Sequence, residues 1–331
     1  MEKHIGILGA GTFGVSLAAI LASAGHRVCL WSALSEEIAG LAKERRHPRL
    51  PALRLPASVA LTDEIAHVCA EKDILLFAVP SPFVRSTAER VKPYFSSRML
   101  IADVAKGIEP DTLLPMSEVI RSVLGKEARV VALSGPTHAE EVALAMPTTI
   151  VAASSSLAAA EEIQGIFEGT CIRAYTNPDP PGTELCGAMK NIIALAAGIS
   201  DGIGYGDNAK AAIITRGMAE ITRLGLAMGC DARTFSGLTG IGDLIVTATS
   251  PHSRNGKAGR LIGEGVSPSE ALKQVGMVVE GVNALPAAMA LSQKYGVELP
   301  ITRAVYAVVK EGADPRACVT GLMTRTRKSE F

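Results

Sequence analysis

The feature that most constrains this chain lies at its start. Ile5-Gly6-Ile7-Leu8 is a short apolar run of the kind that forms a buried strand. It breaks into Gly9-Ala10-Gly11-Thr12-Phe13-Gly14, and residues 15–24 resume as an Ala/Leu-rich helical stretch closed by Gly25. Strand, glycine turn and helix in that order make a dinucleotide-binding turn. Gly9 permits the tight turn, Gly11 lets a pyrophosphate approach the backbone, and Gly14 lets helix and strand pack closely. The helix N-terminus then offers unpaired N–H groups and a positive dipole end to the phosphates.

The rest of the first half repeats the pattern. Apolar runs at residues 27–31, 74–79, 99–102, 130–133 and 148–153 predict strands, with one more at 171–175. Two of them lead into polar, Gly-containing loops, Asp103-Val104-Ala105-Lys106-Gly107 and Ser134-Gly135-Pro136-Thr137-His138. Ligands of doubly wound sheets bind beyond the carboxyl ends of the strands, which makes Lys106 and Thr137 candidates to touch substrate. A solvated surface lysine and an ordinary helix-capping threonine fit those positions equally well.

The strand at 27–31 ends in Trp31-Ser32-Ala33-Leu34-Ser35. An acidic residue often stands there, about 20 residues past the glycines, and binds the ribose 2′-hydroxyl of NAD. Here Glu36 and Glu37 come later and suit the first turn of a helix. No basic residue replaces the acid, although Arg45 or Arg46 can fold back from the irregular loop predicted over 45–56, which contains three prolines and four arginines. The residues leave NADH against NADPH open.

Around Asn177-Pro178-Asp179-Pro180-Pro181-Gly182 the composition changes, and the strand pattern stops. A stiff connector is predicted there. The expected architecture is an α/β N-terminal Rossmann-like doubly wound sheet, residues 1–181, followed by an all-α domain, 182–331. A length of 331 residues suits two domains, and 48% apolar content suffices for large cores.

Within the second half, the stretch 185–198 is an apolar helix interrupted by Lys190, which either snorkels or works. Residues 209–228 read as an amphipathic helix that buries Ile214, Met218, Ile221, Leu224 and Met228, with Arg216, Glu220 and Arg223 on another face. Asp243 and Thr247, four apart, share one face of a helix begun near Gly242. Ser253-Arg254-Asn255 sets a hydroxyl, a guanidinium fork and an amide at the start of another helix, a composition suited to phosphate. Taken alone, Arg254 fits a surface ion pair as well.

Several classes of function are disfavoured. The 33 basic and 33 acidic residues cancel, so nothing in the balance points to nucleic acid or an anionic membrane. No uncharged apolar run reaches the roughly 18 residues of a membrane span, and a cytoplasmic protein is expected. Cys29, Cys69, Cys171, Cys186, Cys230 and Cys318 are scattered, without metal-ligand spacing, and read as buried thiols with no metal site.

Taken together, the motifs resemble the NAD(P)-dependent sn-glycerol-3-phosphate dehydrogenases of the bacterial branch. The matching strings are Gly9-Ala10-Gly11-Thr12-Phe13-Gly14, Val79-Pro80-Ser81, Ala105-Lys106-Gly107-Ile108-Glu109, Ser134-Gly135-Pro136-Thr137-His138-Ala139-Glu140-Glu141-Val142, Lys190-Asn191, Gly240-Ile241-Gly242-Asp243-Leu244, Ser253-Arg254-Asn255 and Val278-Val279-Glu280-Gly281. They keep the family's order over nearly the whole chain.

The resemblance implies reversible hydride transfer between NAD(P)H and dihydroxyacetone phosphate, giving sn-glycerol 3-phosphate for phospholipid synthesis, and a homodimer. It makes Lys190 the general acid/base, Lys106 a second active-site lysine and Asp243 the carboxylate that orients Lys190 and the substrate hydroxyls. An unperturbed lysine, with a pKa of about 10.4, is a poor base near neutrality, so an apolar site and a cationic neighbour are expected around Lys190. Substrate contacts are implied for Lys106, Gly135, Thr137, Lys190, Asp243, Ser253, Arg254 and Asn255. Cofactor contacts are implied for Gly9, Gly11, Thr12, Phe13, Gly14, Lys106, Ala139, Arg254, Val278 and Glu280. Lysine-assisted hydride transfer has no step that calls for a metal.

Three departures from the family pattern stand out. Phe13 replaces a common Trp, Ser32-Ala33 replaces a common Arg after Trp31, and Arg49-Leu50-Pro51 replaces a common Tyr-Leu-Pro. Two other readings remain. β-Hydroxyacid and 6-phosphogluconate dehydrogenases pair a similar architecture with an Asn four residues after the catalytic lysine, where this chain has Ala194. A non-catalytic dinucleotide sensor has little reason to keep Lys106, Lys190, Asp243 and Arg254 together.

Overall fold

The computed structural model describes residues 1–327 and 329. The chain divides into two compact units, Met1–Glu184 and the residues from Leu185 onward. The first contains β1 (His4–Leu8), β2 (Arg27–Trp31), β3 (Ala60–Thr62), β4 (Ile74–Phe77), β5 (Leu100–Asp103), β6 (Arg129–Ser134), β7 (Thr148–Ala153) and β8 (Ile172–Asn177). They form one eight-stranded sheet in the order β3-β2-β1-β4-β5-β6-β7-β8. All pairings are parallel except β6 with β7. The order reverses at β1, so the crevice outside the carboxyl ends of β1 and β4 is the expected ligand position.

Side chains alternate between the two faces, as a period of two requires. Ile5, Ile7, Val28, Leu30, Ile74 and Leu76 pack into one apolar core. Leu8, Cys29, Trp31, Leu75 and Phe77 pack into another on the opposite face. Helices cover both faces, so these strands read as continuous apolar runs instead of alternating ones. β3 has three residues, too few to show a period, and only the structure reveals it.

The predicted connector is replaced by a helix. Pro180 and Pro181 open the 24-residue helix Pro180–Ile203. Proline is tolerated in a first helical turn because the N–H it lacks has no intrahelical partner there.

The second unit is helical. Its helices Pro180–Ile203 and Arg254–Gly263 cross at glycines: a Cβ on Gly198 would strike the carbonyl of Gly256, and one on Gly259 would strike the carbonyl of Leu195. The crossing brings Ser253-Arg254-Asn255 beside the helix that carries Lys190. Helix Asp207–Ala227 departs from its expected stripe. Ile221 and Leu224 are buried, but Met218 and Met228 are only half-buried, and Glu220 is 3% exposed. The Glu220 carboxylate accepts hydrogen bonds from Ile301 N, Thr302 N and Thr302 Oγ1, and so caps helix Pro300–Glu311. A carboxylate read from sequence belongs with solvent; this one is buried because a distant helix start needs its oxygens.

A second buried acidic cluster lies in the first unit. Glu184 accepts from the backbone N–H and hydroxyl of Ser117, near the start of helix Met116–Leu124. Burial pushes Glu184 up to about 7, against the Ser117 hydrogen bonds that hold it down. Asp103, at the end of β5, is also raised, first by burial and then by the nearby Glu184 charge. A carboxyl whose folded-state pKa is raised adds stability that is fully present below its unfolded value and is lost as pH rises through the folded one. Stability of the first unit is therefore expected to fall between about pH 4.5 and about pH 7. Urea melts of Glu184→Gln across that window should show a flatter pH profile than the parent; an identical slope would remove Glu184 as its source.

Candidate active site

The glycine turn has the geometry of a phosphate cradle. Gly9 has φ of +123°, and a Cβ there would lie 2.7 Å from the Ala78 carbonyl oxygen. Gly11 faces open space and precedes helix Thr12–Ser23, whose start has no side-chain cap. A Cβ on Gly14 would strike the Gly9 carbonyl. An anion therefore has free access at Gly11 while the flanking glycines close the turn, and these residues fit a dinucleotide pyrophosphate. The Ser16 hydroxyl lies 2.9 Å from Thr12 O and 3.1 Å from Ala139 O, which ties Ala139 to the same helix beside Thr12 and Phe13.

At the carboxyl ends of β5 and β6, Lys106 Nζ donates to the Gly135 carbonyl at 2.9 Å, and Thr137 Oγ1 donates to the same oxygen at 3.0 Å. Gly135 has φ of +134° and backs onto β7, where a Cβ would lie 3.2 Å from Thr149 O. The loop before Lys106 is shaped by Asp103 Oδ1, which accepts from Ala105 N at 3.1 Å. The sequence selected Lys106, Gly135 and Thr137 separately; the sheet brings them to one carbonyl.

In the helical unit, Lys190 is buried, with its side chain 6% exposed. Its Nζ donates to Asp243 Oδ1 at 2.5 Å and to Thr247 Oγ1 at 2.7 Å, and Thr247 Oγ1 in turn donates to the Asp243 carbonyl at 2.7 Å. Asp243 opens helix Asp243–Thr249 after a π-type turn at Leu238–Gly242. The four-residue spacing placed Thr247 on the face of Asp243, but its bond to Lys190 depends on a tertiary contact. A lysine this deep, paired and hydrogen-bonded, is held in place; it does not reach for solvent.

Beside this pair, Asn255 Nδ2 donates to Asn191 Oδ1 at 2.9 Å, and Asn255 Oδ1 accepts from Gly281 N at 2.9 Å. Asn191 donates to the Gly187 carbonyl. Gly281 is obligatory there, since a Cβ would lie 2.5 Å from the Asn191 carbonyl oxygen. Arg254 donates to the Val278 carbonyl at 3.1 Å, two residues before Glu280 opens helix Glu280–Tyr295. The Ser253 hydroxyl accepts from Gly256 N and caps helix Arg254–Gly263. Asn255 and Ser253 thus have structural work of their own, and Arg254, Val278 and Glu280 are gathered in one place. Lys106, Gly135 and Thr137 belong to the first unit; Lys190, Asp243, Ser253, Arg254 and Asn255 belong to the second. Asn191 and Gly281 stood in the matching strings Lys190-Asn191 and Val278-Val279-Glu280-Gly281 with no role assigned to them, and nothing local marked them as partners of Asn255.

Residues 4–160 match the family profile described as the NAD-dependent glycerol-3-phosphate dehydrogenase N-terminus, and residues 179–320 match the profile of its C-terminus. The chain is 56% identical over 332 aligned residues to a glycerol-3-phosphate dehydrogenase [NAD(P)+] of Lactobacillus delbrueckii subsp. bulgaricus, covering 99% of this chain and 98% of that one. It is 46% identical to the Bacillus subtilis protein of the same description, over 99% and 96% of the two chains. The crystal structure of glycerol-3-phosphate dehydrogenase from Coxiella burnetii superimposes with a TM-score of 0.94 at 36% identity, covering 98% of this chain and 99% of that one.

Removing one partner of the buried pair strands the other charge. Asp243→Ala should destabilise the helical unit by about 3–5 kcal/mol, and Asp243→Ala combined with Lys190→Met should recover part of that loss. Urea unfolding of the two variants checks this; additive losses would mean that the pair is not coupled.

Proposed function

Because the chain belongs to the NAD(P)-dependent glycerol-3-phosphate dehydrogenase family, we propose that it reduces dihydroxyacetone phosphate reversibly to sn-glycerol 3-phosphate with Lys190 as the general acid/base. The observation that supports this most is the cluster of Lys190, Asp243 and Thr247, which fixes an amine inside an otherwise apolar helix face. The bound dinucleotide supplies the hydride in reduction and takes it up in oxidation. Addition at the substrate's carbonyl carbon leaves negative charge on the oxygen, and a proton from Lys190 Nζ neutralises it. In the reverse direction Lys190 takes the hydroxyl proton. Asp243 orients the amine and the substrate hydroxyls, and Lys106 polarises the carbonyl.

Arg254 supplies the bidentate fork for the substrate phosphate and reaches the dinucleotide as well, with Ser253, Asn255, Gly135 and Thr137 completing the substrate contacts. Its hydrogen bond to Val278 O supports that double role, because it sets the guanidinium beside Val278 and Glu280, the other expected cofactor contacts of the helical part. In this reading the dinucleotide part is 1–181 and the catalytic part 182–331. The working form is a homodimer in the cytoplasm, and the product feeds phospholipid synthesis.

Purified protein should oxidise NADH or NADPH rapidly with dihydroxyacetone phosphate and hardly at all with unphosphorylated dihydroxyacetone; turnover with neither would sink the assignment. Lys190→Ala should lower kcat by roughly 10²–10⁴-fold and leave dinucleotide affinity nearly intact. Near-normal turnover in that variant would remove Lys190 from the chemistry. Arg254→Lys should act chiefly by raising KM for the phosphorylated ketone, because a point charge does not replace a fork.

A further inference from the structure

The family uses NAD(P), and the residues after Trp31 have neither the usual acid nor the usual arginine. The structure supplies an acid from elsewhere. Gly9 N donates to Trp31 O at 2.9 Å, so the end of β2 adjoins the glycine turn, where the adenine ribose of a dinucleotide lies in this fold. The next residue, Ser32, is 5% exposed and anchored by its N–H to Thr62 O. Its hydroxyl accepts from Leu34 N at 3.2 Å and donates to Glu37 Oε2 at 2.6 Å. That bond folds the carboxylate of an exposed residue in helix Ser35–Glu44 back to the end of β2.

The two arginines that were candidates for the opposite role are committed elsewhere. Arg45 donates to the carbonyls of Leu55, Pro56 and Val59, and Arg46 donates to that of Pro51, so both fasten their own loop. Two other basic residues lie close by: the Arg90 guanidinium stacks over the Trp31 ring at 4.8 Å, and Arg49 is in the loop after helix Ser35–Glu44. It sits near His47, whose pKa is lowered first by burial and then by Arg49, while Glu37 raises it.

We propose that Ser32 and Glu37 together form the ribose clamp and make this chain select NADH over NADPH. The Glu37 carboxylate accepts a hydrogen bond from the ribose 2′-hydroxyl of NADH, the role that an acid at the end of the strand has in other folds of this type. A 2′-phosphate at the same place brings a second negative group against that carboxylate. Ser32 is the positioning residue: without its hydroxyl the Glu37 side chain is no longer tethered. The inference rests on the family's dinucleotide chemistry and is independent of the lysine mechanism.

Calorimetric titration with NADH and with NADPH, without substrate, tests it on the full chain. The parent should bind NADH at least about tenfold more tightly than NADPH, the scale expected when an anion is brought to within a few ångströms of a carboxylate at a protein surface. Glu37→Gln should narrow the ratio to about threefold or less, mainly by improving NADPH binding, since it keeps the shape and removes the charge. Ser32→Ala should move the ratio the same way by less, and Arg49→Ala should leave it unchanged. Glu37 is exposed, so its substitution spares the fold. Equal or tighter binding of NADPH by the parent overturns the proposal, as does a ratio that Glu37→Gln leaves unchanged. NADPH affinity that collapses only in Arg49→Ala would place an arginine clamp there instead. Binding of neither dinucleotide overturns the proposal together with the cofactor assignment, whereas loss of turnover with normal binding bears only on the lysine chemistry.

Discussion

Where two backbones pass too closely for a Cβ, only glycine serves, and in each unit the candidate residues gather at such a crossing. In the sheet unit, Gly14 passes the Gly9 carbonyl and leaves the first turn of the helix open to an anion. In the helical unit, Gly198 meets Gly256 and Gly259 meets Leu195, which sets Ser253-Arg254-Asn255 against the helix of Lys190. Gly281 meets Asn191 and completes the same cluster. The chemistry-bearing side chains gather where they do because these crossings bring their backbones within reach.

The buried polar groups follow from this packing. Lys190, Asp243, Asn191 and Asn255 are each less than a tenth exposed, and every one of them hydrogen-bonds another buried group. Burial of a lysine beside a carboxylate adds little stability by itself, since the cost of desolvation offsets the Coulomb attraction. It does fix the position of an amine. Glu220 and Glu184 show the same cost met in another way, by capping the starts of helices Pro300–Glu311 and Met116–Leu124. Neither carboxylate needs a catalytic role to explain its burial.

Much of the candidate site could be picked out in the sequence because its signals are local. The glycine turn is a contiguous string, Lys106 and Thr137 follow strands that declare themselves by apolar runs, and Asp243 with Thr247 has helical spacing. What the sequence missed depends on how the chain between two groups folds. Ser32 and Glu37 are five residues apart yet read as strand end and helix start, and only the fold of the intervening turn joins them. Arg45 and Arg46 looked free to swing toward a cofactor, but nearby carbonyls hold them. The prolines at 180 and 181 predicted a connector, and they start a helix instead, because proline obstructs a helix interior and not its first turn.

By itself, then, the sequence determined the architecture and the family, since both are written in period, spacing and ordered motifs that need no long-range partner. The tertiary structure alone decided which polar side chains meet: Lys106 with Gly135, Lys190 with Thr247, Asn255 with Asn191 and Gly281, Glu220 with Thr302. The physical reason is that a buried polar group must find a hydrogen-bond partner, and which group lies within 3 Å is set by how helices and strands cross, not by the residues beside it in the chain.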